Sequence, residues 1–391
     1  MTVREIGREV YSVGSIDWDR RLFDELIPLP DGTSYNAYVV KGSEKTALID
    51  TVDPTKAEEL LSNLRMLGLG RMDYIVSHHA EQDHSGSIPQ VLAEYPSAKV
   101  VANEKCKEFL KDLLLIPDEK FLVINDGERL QLGGRTLQFM NAPWVHWPET
   151  FITYLVEDKI LFTCDFFGSH LATSDLTVKD EAHVYRAAKR YYAEIMMPFR
   201  ATIRNNIEKL KTLDYRMIAP SHGPIYDRPS LILDAYRDWT SDKVKPEVLI
   251  FYVSMHGSTA KMVARLTDAL MAKGVTVRQF NLPRSDLGEI AVSLVDAATV
   301  VIATPTVLGG PHPAAVYATY LANALRPKTR YATVIGSYGW GGKTVETIAG
   351  MLGNLKVEVL PPVIAKGHPR AEDYQALDRL ALTIAEKHGN L

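Results

Sequence analysis

Imidazoles and carboxylates crowd together in the run Ser77-His78-His79-Ala80-Glu81-Gln82-Asp83-His84, directly after the apolar segment Asp73-Tyr74-Ile75-Val76. The apolar run reads as a strand, so His79, Glu81, Asp83 and His84 fall on a strand-to-helix loop. Left unpaired there, the two carboxylates would repel one another, and desolvation would add to the cost. A divalent metal removes both penalties. Three later residues offer the same ligand types after their own predicted strands. These are His146 in Trp144-Val145-His146-Trp147, Asp165 after Ile160-Leu161-Phe162-Thr163, and His222 after Met217-Ile218-Ala219-Pro220. Hard carboxylate oxygens mixed with imidazole nitrogens suit one or two first-row metals with open coordination positions. Each of those three alone fits a structural role equally well; the four-residue cluster gives them meaning.

A different chemistry is written after residue 245. The segment Ser254-Met255-His256-Gly257-Ser258-Thr259-Ala260-Lys261 follows an apolar run and leads into a helical pattern. Hydroxyls, a glycine and free backbone amides at a helix N-terminus make an anion site. Neither the Gly-x-Gly-x-x-Gly fingerprint nor the Walker lysine–serine pair is present, so a monophosphate held by hydroxyls is the expected guest. His256 reads equally well as a phosphate contact or a solvated loop residue. Two further loops are Thr304-Pro305-Thr306-Val307-Leu308-Gly309-Gly310 and Ser337-Tyr338-Gly339-Trp340-Gly341-Gly342. Their glycines let backbone approach a planar ring, on which Trp340 or Tyr338 could stack.

The elements that must position these residues fall into two patterns. In the first, Thr33 to Val40 and Lys45 to Asp50 read as paired strands and Thr55 to Leu67 as an amphipathic helix. Further strands are expected at Asp73 to Val76, Ala98 to Ala102, Phe121 to Ile124, Thr136 to Met140, Phe151 to Val156 and Lys159 to Thr163. Helices are expected near Ser87 to Tyr95, Glu104 to Leu115, Ala182 to Met197 and Ala201 to Thr212. Strands, ligand loops and then helices suggest sheets with helices outside. A short polar segment closed by Pro246 marks a boundary, giving domains 1–245 and 246–391. Beyond it, five strands alternate with helices: Glu247 to Val253, Val275 to Phe280, Ala297 to Ala303, Arg330 to Ile335 and Leu355 to Leu360. That is an α/β pattern, a parallel doubly wound sheet in flavodoxin-like order, whose loops meet over one crevice at the strands' carboxyl ends.

Composition narrows the class. The chain has 391 residues, 46% apolar and 24% charged, ordinary for a globular protein. Net charge is −4, with 14 Lys and Arg against 11 Asp and Glu from Pro246 onward, so the second domain is mildly basic and the first acidic. No Lys/Arg cluster marks nucleic-acid binding, and no apolar stretch reaches the roughly 18 residues that span a bilayer. The charged start (Arg4, Glu5, Arg8, Glu9) does not read as a signal peptide. Cys106 and Cys164 are too few for a disulfide framework and read as buried thiols, so the expected location is cytoplasmic.

The three loops of the second domain resemble those of flavodoxin, which hold the phosphate and isoalloxazine of FMN. The resemblance places Ser254, His256, Gly257, Ser258 and Thr259 around the phosphate, with Met255 among the cofactor-binding residues. It places Thr304, Pro305, Thr306, Leu308, Gly309 and Gly310, and Ser337, Tyr338, Gly339, Trp340, Gly341 and Gly342, around the ring. The metal pattern resembles the metallo-β-lactamase fold, an αββα sandwich whose His-x-His-x-Asp-His loop and later His, Asp and His bind two metals. Here Glu81 replaces the second histidine. Zinc hydrolases use a neutral imidazole there to keep a bound water acidic; a carboxylate adds charge and hard oxygen and favours iron.

Together the two halves resemble the flavodiiron proteins, or A-type flavoproteins, over essentially the whole chain. The resemblance implies that His79, Glu81 and His146 ligate one non-haem iron, that Asp83, His84 and His222 ligate a second, and that Asp165 bridges them. His78 precedes the motif and reads as a residue behind the ligands or in solvent. The family's tyrosine near the irons corresponds to Tyr191 or Tyr192. The implied activity is four-electron reduction of dioxygen to water, two-electron reduction of nitric oxide to nitrous oxide, or both. The implied cofactors are FMN and two irons, in a head-to-tail homodimer. With no Cys-rich rubredoxin appendage before Leu391, the chain resembles the minimal two-domain class. Its donor would be a separate rubredoxin, a reduced deazaflavin or a flavin reductase. Two rivals are a metallo-β-lactamase-fold hydrolase with an accessory flavin domain, disfavoured by Glu81, and an electron carrier with a docking domain, disfavoured by the complete ligand set.

Overall fold

A computed structural model describes residues 3–391. The chain forms two compact units, one holding residues up to Tyr192 with Phe199–Thr240, the other Ala193–Pro198 with Ser241–Leu391. In the first, the strands Tyr38–Lys41, Thr46–Ile49, Tyr74–Val76 and Lys99–Ala102 are apolar on both faces, as strands covered on both sides must be. Tyr38, Val40, Ala47, Ile49, Tyr74, Val76 and Val101 meet Phe139, Phe151, Leu155, Ile160, Phe162 and Ala219 of a second sheet. Val39, Leu48, Ile75 and Val100 face the opposite way, onto Leu60, Leu64, Ile88, Val91 and Leu110 of three helices, Ala57–Met66, Ile88–Glu94 and Glu104–Leu114. The two sheets have seven and five strands and form the sandwich of an αββα fold.

Register in the five-stranded sheet decides where the metal ligands emerge. Ile160–Cys164 and Met217–Pro220 run parallel, with Cys164 opposite Pro220, so Asp165 and the Ser221-His222 turn leave side by side. Phe151–Leu155 is antiparallel to Ile160–Cys164, with Thr153 opposite Phe162. Its start, and the loop carrying His146, therefore lie at that same end. Across the sandwich, His79 follows the carboxyl end of Tyr74–Val76.

The second unit is the expected doubly wound sheet. Its parallel strands are ordered Thr276–Asn281, Lys245–Tyr252, Ala297–Val307, Tyr331–Tyr338 and Glu358–Val359, the flavodoxin order 2-1-3-4-5. Helices Ser258–Met271 and Ala371–His388 bury Met262, Leu266, Leu270, Leu377, Leu380 and Ile384 against Val248, Ile250, Val301 and Ile335 on one face.

Several elements differ from the sequence expectation for identifiable reasons. Thr33 to Val40 is not one strand: Thr33–Tyr35 pairs with Ser15–Asp17, and Tyr38–Lys41 joins the large sheet. Asn36 breaks it by spending its bonds on the His222 turn, its backbone N–H donating to Ser221 O (2.7 Å) and its side-chain amide to Pro220 O (2.9 Å) and Gly223 O (2.7 Å). Asp83 and His84 lie not on a loop but in a one-turn helix, Gln82–Ser85. The last strand, expected at Leu355 to Leu360, is two pieces, Glu358–Val359 and Val363–Lys366, both paired with Tyr331–Tyr338. Pro361 and Pro362 separate them because proline has no N–H for the ladder. Thr304 to Val307, Ser337 and Tyr338 continue their strands instead of forming loops. The hairpins before residue 29 and the helix Ser230–Thr240 had no counterpart in the sequence reading.

Gly336 sits where the third and fourth strands of the flavodoxin-like sheet touch, and a Cβ there would lie 1.9 Å from Thr304 O. Gly336→Ala is therefore expected to cost about 1–3 kcal/mol or more through overpacking. Chemical denaturation of the full chain checks this, and an unchanged midpoint would contradict so close an approach.

Candidate metal centre

All seven side chains singled out in the sequence converge. His79, Glu81, His146 and Asp165 bring ligand atoms within 4.8 Å of one another, and Asp83, His84 and His222 do the same. Asp165 stands between the groups. Its Oδ2 lies 2.9 Å from His79 Nε2 and 3.3 Å from His146 Nε2, while its Oδ1 lies 3.1 Å from His84 Nε2 and 3.5 Å from His222 Nε2. Glu81 Oε2 is 2.9 Å from His146 Nε2 and 3.3 Å from His79 Nε2. Asp83 Oδ2 is 3.2 Å from both His84 Nε2 and His222 Nε2.

The backbone of the ligand run is tied down on every side. Ser77 Oγ donates to His79 O (2.9 Å), Ser85 Oγ donates to Ala80 O (2.8 Å), and Glu149 Oε1 accepts from Ala80 N (3.0 Å). Thr51 holds His84 O through both its N–H (2.8 Å) and its hydroxyl (2.6 Å). The outer nitrogen of His222, Nδ1, donates to Ser34 O at 2.7 Å, which leaves the Nε2 lone pair for the centre. Behind His79, Nδ1 lies 3.3 Å from Cys164 Sγ. Burial holds the Cys164 thiol well above its ordinary range.

The structure also decides two residues the sequence left open. His78 is buried and faces away from the centre: Nδ1 is 2.6 Å from Asp50 Oδ2 and Nε2 is 2.8 Å from Thr153 Oγ1. Of the two tyrosines, Tyr191 is the one beside the ligands, with its ring 5.6 Å from that of His222 and 4.9 Å from that of His170. Tyr192 packs on Tyr236 and Trp239. Sequence reasoning missed Glu149, His170 and Ser34, and read Cys164 only as a buried thiol. His170, five residues past Asp165, was a findable signal; a backbone carbonyl such as that of Ser34 carries none.

Two observations test whether these residues fit metal ions. Both oxygens of Asp83, Oδ1 of Asp165 and Nδ1 of His84 are buried without a properly directed hydrogen bond. Two ring nitrogens, His84 Nε2 and His222 Nε2, face each other at 2.9 Å. Lone pairs converging on common points, instead of on one another's protons, are what a cation pair requires. The residues therefore fit. In the metal-free protein, protons take the cations' place. Burial works against charge on His84, but Asp83 and then Asp165 raise it to about 9; burial likewise opposes Glu81, which raises His146 to about 10. Asp165, despite burial, is held well below the carboxylate range by His79 and His84.

The flavin loops sit at the carboxyl ends of three neighbouring strands. Gly257, at φ 86°, precedes the helix Ser258–Met271, and a Cβ there would meet nothing within 4 Å. Ser254 Oγ accepts from Ala260 N (3.1 Å), and Thr259 is buried with its hydroxyl 3.4 Å from Ser337 Oγ. His256 is exposed. Thr304 is buried, its Oγ1 accepting from His312 N (3.0 Å), and Thr306 Oγ1 is 2.7 Å from Thr344 Oγ1. Large apolar side chains stand open on all three loops: Met255 is 48% exposed, Leu308 94% and Trp340 71%. Gly310, Gly339 and Gly341 leave space beside them. Exposed apolar groups beside bare backbone and a helix N-terminus fit a planar ring carrying a phosphate.

Comparison with known proteins agrees with this arrangement. Residues 33–223 match the family described as ODP family beta lactamase, and residues 250–377 match flavodoxin. A nitric oxide reductase of Moorella thermoacetica is 34% identical over 388 residues, 97% of both chains. The solved rubredoxin oxygen:oxidoreductase of the anaerobe Desulfovibrio gigas superposes with a TM-score of 0.95 at 29% identity over 99% of both chains. A flavodiiron protein from Giardia intestinalis gives 0.91 at 30% identity, over 99% of this chain and 98% of that one. A lactamase-type metal centre followed by a flavodoxin module defines a class of oxidoreductase that pairs a flavin with metal. The chain belongs to the flavodiiron family, the A-type flavoproteins.

Metal loading of the apoprotein should release protons. At pH 7 His79, His84 and His146 hold protons that ligation must displace, so about three per chain are expected in a weakly buffered titration with a pH indicator. The sign for stability follows from their raised values. The imidazolium–carboxylate pairs stabilise the metal-free fold fully below the ordinary histidine pKa of about 6.5, and the contribution is lost as pH rises through 9 and 10. Release of no protons at pH 7 would contradict the pairing.

Proposed function

We propose that the chain is a flavodiiron reductase that takes electrons from an external donor and reduces dioxygen to water, nitric oxide to nitrous oxide, or both; bound FMN and two non-haem irons would supply the redox chemistry. His79, Glu81 and His146 would hold the first iron and Asp83, His84 and His222 the second. The observation that carries the reading is the Asp165 carboxylate, whose two oxygens face different histidine groups at 2.9 and 3.1 Å. With two irons bound, Asp165 would supply one oxygen to each.

The remaining residues act by charge and orientation. Glu81, Asp83 and Asp165 supply the negative charge that stabilises the more oxidised metal state, where a hydrolase would use neutral imidazole. Ser34 O fixes the tautomer of His222. Burial, then Asp165 and Asp83, keep the Tyr191 phenol protonated well beyond neutral pH, so its hydroxyl can serve only as a neutral group beside His222. Residues 1–245 carry the metals and 246–391 the flavin. Ser254, Met255, His256, Gly257, Ser258 and Thr259 surround the phosphate; Thr304 to Gly310 and Ser337 to Gly342 surround the ring.

Electron transfer needs flavin and iron close together, which a head-to-tail homodimer provides by placing the flavin of one subunit beside the irons of the other. The donor is a rubredoxin, with a reduced deazaflavin or a flavin reductase as substitutes, and the setting is cytoplasmic. Among the described residues no helix is long and apolar enough to cross a membrane.

Metal analysis of anaerobically purified protein should find about two irons and one FMN per chain, with dioxygen and nitric oxide turnover supported by reduced rubredoxin. Two zincs persisting after growth in ample iron would overturn the reading in favour of a hydrolase. Asp165→Asn should lower turnover by more than the roughly 10–100-fold typical of outer partners of metal ligands, and wild-type turnover would contradict the bridging role.

A further inference from the structure

We infer that the Cys164 thiol is a positioning residue that accepts the outer N–H of His79 and so sets how strongly that imidazole donates to the iron it would hold. The inference rests on the ligand assignment proposed above. His79 Nε2 faces Asp165 Oδ2 at 2.9 Å and Glu81 Oε2 at 3.3 Å, so this is the nitrogen that meets a cation. The ring proton then belongs to Nδ1, whose neighbour is Cys164 Sγ at 3.3 Å. Both residues are buried, so water does not substitute for the sulfur.

Local backbone puts the thiol there. Cys164 ends the strand Ile160–Cys164 at φ 54°, in the left-handed region, directly before Asp165. Consecutive residues therefore serve the same imidazole from opposite sides, Asp165 at Nε2 and Cys164 at Nδ1. Behind the sulfur, Asp50, His78 and Cys164 form a third group with ligand-type atoms within 4.8 Å of one another. That group does not read as another metal site, because both nitrogens of His78 are already engaged, by Asp50 at 2.6 Å and Thr153 at 2.8 Å. It anchors the environment of the thiol instead.

The chemical consequence comes from comparing two acceptors. A ligand imidazole grows more basic as its outer N–H is given to a stronger acceptor. His222 gives Nδ1–H to a peptide carbonyl at 2.7 Å, a strong acceptor, whereas sulfur is a weak one. His79 is thus a poorer electron donor than an imidazole bonded to a carbonyl, and the ferric state of its iron is less stabilised than a carbonyl in place of the Cys164 sulfur would make it.

The test uses the full iron-loaded chain and two readouts besides turnover. In wild type, the S–H stretch of Cys164 in the infrared, identified by its loss in Cys164→Asn, should shift when the irons are reduced. Cys164→Asn supplies an amide carbonyl and tolerates a left-handed backbone, so with two irons retained its diiron midpoint potential should fall below wild type. Cys164→Ala removes the acceptor and should raise it. An S–H band unmoved by reduction, or an Asn variant with two irons at the wild-type potential, would overturn the thiol's role. A His79→Ala protein that keeps two irons would instead overturn the ligand assignment beneath it.

Discussion

The carboxylate of Asp165 is the point on which the first domain turns. It is buried, and each of its oxygens faces a different pair of histidines. A buried carboxylate without compensation is costly, and so is each buried imidazolium. The ligand set is stable only as a whole, with positive charge lying between its two halves, supplied by protons in the bare protein and by metal in the loaded one. The surrounding hydrogen bonds reflect that demand: Thr51, Ser77, Ser85 and Glu149 all bind backbone of the ligand run, and Ser34 binds the outer nitrogen of His222.

A sandwich suits this requirement because strand ends are stiff and their register is discrete. Moving the pair Ile160–Cys164 and Met217–Pro220 by one residue would turn Asp165 or His222 to the opposite face. The same alternation fills the core, with Val40 and Ile49 inward and Val39 and Leu48 under the helices. Core and centre are therefore held by one register, and a change that disturbs the packing also disturbs the ligands.

The flavodoxin-like unit solves a different problem with different means. Its guest is large and flat with an anionic phosphate at one end, so the loops provide exposed Met255, Leu308 and Trp340, open glycines and a helix N-terminus. Charged side chains have little part. The hydroxyls expected to serve the guest are partly committed to the protein itself: Ser254 receives Ala260 N–H, and Thr304 receives His312 N–H. The remaining donors are chiefly backbone amides.

Much of this was legible in the residues alone. Crowding of His79, Glu81, Asp83 and His84 on one short run carries its own electrostatic meaning, because neighbours in sequence are necessarily neighbours in space. The substitution of carboxylate for imidazole at Glu81 already points from zinc toward iron, and the strand–helix alternation after Pro246 already points to a parallel doubly wound sheet. His146, Asp165 and His222 were ambiguous one at a time, since only pairing register brings residues so distant in sequence to one end of the sandwich. The break at Asn36 could not be foreseen, because its partners are backbone groups of residues 220, 221 and 223. Tyr191 and Tyr192 are adjacent on a helix, about 100° apart in direction, and the packing of Tyr192 on Trp239 settled which one turns to the ligands. Cys164 looked like an ordinary buried thiol. A left-handed φ and the place of His79 across the sandwich, both tertiary facts, set its sulfur behind a metal ligand.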